Sequence, residues 1–153
     1  MKTASGIRAE GETRLIQKSE NSVPNPSRRD PQAEGGRESI LMVEDNTEVR
    51  LMGATLLQDA GFEVYEAAAA EEALALIHAG LAFDLLFTDI VIPGAMDGVA
   101  LAAEVRRLRP GIPVLLTTGW ADRADDHGDL DLIGKPYRSA ELTRKIRALL
   151  DAA

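Results

Sequence analysis

Ile40-Leu41-Met42-Val43-Glu44-Asp45 decides the reading of this chain. Four apolar residues in a row, too few for a helix and ending abruptly in two acids, match a short strand buried on both faces, the kind found inside a parallel sheet. The same signature recurs downstream. Leu85-Leu86-Phe87-Thr88 runs into Asp89, Val114-Leu115-Leu116-Thr117 into Thr118, and Leu130 to Ile133 toward Lys135-Pro136. Phe62-Glu63-Val64-Tyr65 alternates instead, as an edge or half-exposed strand does.

Helical stretches separate these strands. Val49, Met52, Leu56 and Ala60 recur at roughly helical spacing before Gly61, and Met42 and Met52 read as core fillers. Ala67 to Ala79 reads as a second helix closed by Gly80. A third carries Leu101, Val105 and Leu108 before Pro110-Gly111, and the last places Leu142, Ile146, Leu149 and Leu150 on one face. Gly94 and Gly98 read as turn residues, and His78 and His127 as exposed. Strands alternating with helices imply right-handed crossovers and a parallel sheet covered on both faces. The expected fold is α/β, a flavodoxin-like doubly wound five-stranded sheet in the order 2-1-3-4-5.

Composition fits this. The chain has 153 residues, 45% of them hydrophobic but only 4% aromatic, so its core must be aliphatic, and it has no cysteine for a disulfide scaffold or thiolate chemistry. No apolar run approaches a membrane span and the polar amino terminus does not read as a secretory signal, so a soluble cytoplasmic protein is expected. Residues 1–37, rich in Pro, Ser, Asn and Gly, read as a disordered tail with a net charge of +2, and residues 38–153 as a domain with a net charge of −10. So acidic a body argues against direct nucleic-acid binding and suits a site that gathers carboxylates around a cation.

The polar residues fall at the strand ends. In an open parallel sheet, ligands bind beyond the carboxyl ends of the strands at the switch point in strand order, here between strands one and three. Glu44, Asp45 and Asp89 should converge there, with Thr118 and Lys135 approaching from neighbouring strands. Singly, each has a plainer explanation: an N-cap, a turn former, a surface Lys-Pro turn. Together they suit one chemistry. Clustered carboxylates call for a hard cation such as Mg²⁺. A carboxylate nucleophile at Asp89 can form an acyl phosphate, with Lys135 and Thr118 each meeting a phosphoryl oxygen.

The run Ile40 to Asn46 resembles the first strand and acid pair of bacterial response-regulator receivers. Leu85 to Gly94 with Met96-Asp97-Gly98 resembles their phosphoacceptor strand and loop, Pro113 to Trp120 their fourth strand with its switch hydroxyl, and Lys135-Pro136-Tyr137 their Lys-Pro-aromatic signature. The resemblance spans about residues 38–151 and leans toward receivers fused to, or partnered with, hybrid sensor kinases. It implies a cis Lys135–Pro136 peptide and Mg²⁺ ligation by Asp45, Asp89 and the Val91 backbone carbonyl, with Glu44 acting mostly through water. It also implies a phosphoryl donor in a histidine kinase or histidine phosphotransfer domain, output through a partner or a further domain, and room for a weak homodimer.

Two departures stand out. Lys135 lies only 17 positions after Thr118, so the family's fourth helix is expected to be short, irregular or missing, and residues 119–129 are expected to carry the switch as a change of order. Leu132 stands where many receivers have an aromatic that rotates with the switch Thr; Trp120 and Tyr137 either substitute for it or only cover the site rim. Two other readings compete: a receiver-fold docking module indifferent to phosphate, and an enzyme on the same fold. An aspartate-nucleophile phosphatase would want a second Asp where Val91 stands, and a flavin protein a phosphate-binding loop where the acid pair stands.

Overall fold

A computed structural model describes residues 37–119 and 130–153. Its elements are β1 (Ser39–Val43), α1 (Thr47–Asp59), β2 (Glu63–Ala67), α2 (Ala70–His78), β3 (Leu85–Asp89), α3 (Gly98–Leu108), β4 (Val114–Thr118), β5 (Asp131–Gly134) and α4 (Ser139–Ala152). All strand pairs are parallel and the order is β2-β1-β3-β4-β5, the expected one. Residues 1–36 of the tail and residues 120–129, on which Trp120, His127 and nearly all of the expected short fourth helix and switch segment fall, lie outside the described residues.

Alternation along the buried strands divides the core in two. Leu41, Val43, Leu86, Val114 and Leu116 face Ala70, Ala73 and Ile77 of α2 and Leu101, Ala102 and Val105 of α3. Ile40, Met42, Leu85, Phe87, Leu115 and Ile133 face Ala54 and Leu57 of α1 and Leu142 and Ile146 of α4. Burial of each Leu or Ile contributes about 1.5–3 kcal/mol, so even a few inward residues suffice to dock each helix.

Helix α1 buries a different face from the expected one. Gly53, Ala54 and Leu57 go inward, whereas Met52 is 45% exposed, so only Met42 of the two methionines is a core filler. The reason is close approach: a Cβ at Gly53 would come within 2.5 Å of Met42 Cε and 2.6 Å of Tyr137 Oη. Small residues let the helix lie low on the sheet, and the larger side chains stay at its flanks.

Helix α2 also starts later than expected. Ala67 ends β2, paired with Val43, and the helix begins only at Ala70. Nothing in the alanine run marks that boundary; sheet pairing sets it, and Glu72 then turns back to accept a hydrogen bond from the Ala68 amide at 2.6 Å.

Candidate functional site

The carboxyl ends of β1 and β3 lie side by side, with Val43 paired to Thr88, and this brings Glu44 and Asp89 together. Asn46 caps α1, its side chain accepting from the Val49 amide at 2.9 Å. The capping role that the acid pair could have filled therefore falls to Asn46. Glu44 turns inward and is buried; Asp45 is exposed at the rim.

One oxygen from each of Glu44, Asp45 and Asp89 lies within 4.8 Å of the others. Lys135, carried past the end of β5 and followed by a cis peptide to Pro136, reaches over them. Its Nζ lies 2.7 Å from Asp89 Oδ2 and 2.9 Å from Glu44 Oε1. The other oxygens take backbone donors: the Val91 amide to Asp89 Oδ1 at 3.2 Å and the Asn46 amide to Glu44 Oε2 at 3.2 Å. Asp89 thus forms a local turn with Val91 as well as meeting Lys135.

Three carboxylates facing one ammonium leave an excess of negative charge. Burial pushes the Glu44 carboxyl above its usual range, partly offset by Lys135 and the Asn46 amide, with the Asp89 charge pushing it further up. Burial opposes the charge on Lys135, but hydrogen bonds to Asp89 and Glu44 outweigh it and raise the ammonium's pKa. The Tyr137 hydroxyl, buried beside Glu44, is pushed up to about 12. An all-oxygen cluster with surplus negative charge fits a hard divalent cation.

Thr118 is the last residue of β4 and is fully buried; its carbonyl accepts from the Lys135 amide at 2.9 Å. Val91 projects an exposed side chain at the rim. Leu132 is partly buried against the α2 and α3 side of the sheet, and Tyr137 packs edge-to-face on Phe87 with ring centroids 5.6 Å apart.

Two supports come from residues for which no role at the site was expected. Arg50 donates to the Glu44 carbonyl at 2.8 Å and pairs with Glu66 at 3.1 Å, tying the acid pair to β2. No motif marks it. Gly98, expected at a turn, is instead the first residue of α3. A Cβ there would overlap the Asp89 carbonyl oxygen, and its amide donates to Ile90 O at 2.8 Å. The spacing Met96-Asp97-Gly98 was the signal, because Asp97 caps α3 by accepting from the Ala100 amide and glycine must follow where the helix meets β3.

Residues 40–147 match the response regulator receiver domain family. The sensor kinase CckA of Brucella abortus is 31% identical over 122 residues, which is 76% of this chain and 13% of that protein. The C4-dicarboxylate transport transcriptional regulatory protein DctD of Rhizobium meliloti is 35% identical over 114 residues, 71% of this chain and 24% of that protein. The chain therefore spans only a minor part of these curated relatives. Among solved structures, a response regulator receiver protein from Sinorhizobium medicae aligns with a TM-score of 0.70 at 29% identity, covering 76% of this chain and 96% of that one. The receiver domain of the hybrid histidine kinase CckA aligns with a TM-score of 0.64 at 33% identity, covering 73% and 98%. With the strand order and the strand-end carboxylates already in place, the conclusion follows that this chain belongs to the response regulator receiver domain family.

Proposed function

We propose that this chain is a phosphorylation switch in which Asp89 accepts a phosphoryl group from the phosphohistidine of a kinase or histidine phosphotransfer domain. The observation that carries this reading is the seating of Asp89: buried, 2.7 Å from the Lys135 ammonium and clustered with Glu44 and Asp45. A carboxylate oxygen of Asp89 forms the new O–P bond as the P–N bond breaks, and the bonding pair stays with the imidazole nitrogen. Lys135 moves its charge to a phosphoryl oxygen. Thr118 supplies a hydroxyl to another by turning in over the end of β4. Asp45, Asp89 and the Val91 carbonyl would hold Mg²⁺, with Glu44 acting through water, and the ion would neutralise charge developing on the phosphoryl group.

The chain acts on itself and turns over no external substrate, in keeping with a relay component. Its working unit begins near Glu38, which Arg147 of α4 holds through two hydrogen bonds of 3.2 Å. A cytoplasmic location and output through a bound partner belong to the same reading.

Intact-mass measurement after incubation with acetyl phosphate tests it. The wild type should gain one phosphoryl group, faster with Mg²⁺ than without, and Asp89→Asn should gain none. A full gain in Asp89→Asn would overturn the assignment.

A further inference from the structure

The two threonines that end β4 lie on opposite faces of the sheet. Residues in register on neighbouring strands share a face, with strands about 4.8 Å apart, and faces alternate along each strand. Thr117 is in register with Asp89, and Thr118 with Gly134. The core confirms the phase: Leu115 and Phe87, two residues before Thr117 and Asp89, belong to the α1 and α4 side, whereas Leu116 and Val114 belong to the α2 and α3 side. On β1, Met42 puts Glu44 on the α1 and α4 side as well. Thr117, not Thr118, therefore shares a face with Glu44 and Asp89. It is 3% exposed, and its Oγ1 has no hydrogen-bond partner among the described residues.

A buried hydroxyl without a partner is destabilising, by more than a hydrogen bond of average strength returns. Tyr137 Oη is also buried and unpartnered, but it sits against Gly53 and Met42, under α1. Thr117 alone of the two is in register with Asp89. Resting on the reading of Asp89 as phosphoacceptor, we propose that the Thr117 hydroxyl is a second hydroxyl of the switch, unpartnered at rest and donating to the aspartyl phosphate once Asp89 is phosphorylated. It needs no movement of the chain beyond the sheet, whereas Thr118 must turn in over the strand end.

The test compares wild type, Thr117→Val and Thr117→Ser by thermal melting and by titration with beryllofluoride plus Mg²⁺, a phosphoryl mimic. Thr117→Val keeps shape and loses the orphan group, so without the mimic it should melt at or above the wild type. Its affinity for the mimic should nevertheless fall about tenfold, the equivalent of one hydrogen bond to a charged acceptor, while Thr117→Ser stays close to wild type. A residue that served packing alone would shift the melting temperature and leave mimic affinity untouched. Equal affinity in Thr117→Val and wild type overturns the proposal and leaves Asp89 standing. A wild type that does not respond to the mimic overturns the reading of Asp89 and this proposal with it. If Thr117→Val does not fold, Thr117→Ala against Thr117→Ser carries the same contrast.

Discussion

At the carboxyl edge of the sheet, the two faces have divided the work. The α1 and α4 side carries Glu44, Asp89, Thr117 and, just past β5, Lys135, with the two acids joined through one ammonium and the Thr117 hydroxyl beside them unpartnered. The α2 and α3 side, one residue out of phase, carries Val43, Ile90 and Leu132, with Thr88 and Thr118 as its polar members. The first face can hold charge because each acid is paired or bonded to an amide; the second is mostly apolar core, its buried Thr88 hydroxyl donating to the Asp89 carbonyl. Thr118 and Leu132 both lie on that second face, so aromatic coupling of the kind seen in many receivers would run there, and here it meets a leucine.

Substitution at Gly98 is the strongest way to break this division. It belongs to α3, yet an added Cβ would strike the backbone of Asp89 itself, which cannot swing aside as a side chain can. Gly98→Ala should destabilise the domain by about 3 kcal/mol, the upper part of the usual overpacking range, and slow phosphorylation by acetyl phosphate. Chemical denaturation and the mass assay together check it; an unchanged phosphorylation rate would show that the loop yields without moving Asp89.

Gly53→Ala presses on the opposite side, but against the ends of Met42 and Tyr137, which can give. Alanine also improves helix propensity by about 1 kcal/mol, so the net loss should be about 1 kcal/mol. Tyr137→Phe removes both the obstructing hydroxyl and an orphaned polar atom, and should recover part of that loss in the double variant. Strict additivity of the two changes in denaturation would place the strain elsewhere.

The smallest effect is a pH slope. With the Glu44 carboxyl raised above its ordinary 4.5, the folded state holds its proton more tightly than the unfolded one. Stability without divalent cations should therefore fall as pH rises from about 4.5 through the folded value. Glu44→Gln lacks this titration, so its melting temperature should gain on the wild type across that window and then hold a constant lead at neutral pH. A lead that shrinks with rising pH would mean that Lys135 stabilises the Glu44 charge more than burial opposes it.

The sequence by itself determined the alternation of strands and helices, the parallel sheet this implies, and the gathering of Glu44, Asp45, Asp89 and Lys135 at one edge once the strand order is taken as flavodoxin-like. These depend on local periodicity and on where an apolar run stops, and both are written residue by residue. Tertiary structure decided the rest. It chose the small face of α1 over the larger residues beside it, ended β2 at Ala67 inside an alanine run, and seated α3 on Asp89 through Gly98. It also decided which threonine joins the carboxylates. Alternation in sequence says only that Thr117 and Thr118 point to opposite faces. The pairing of β3 with β4 says which of them stands beside Asp89, and a slip of one residue would exchange them.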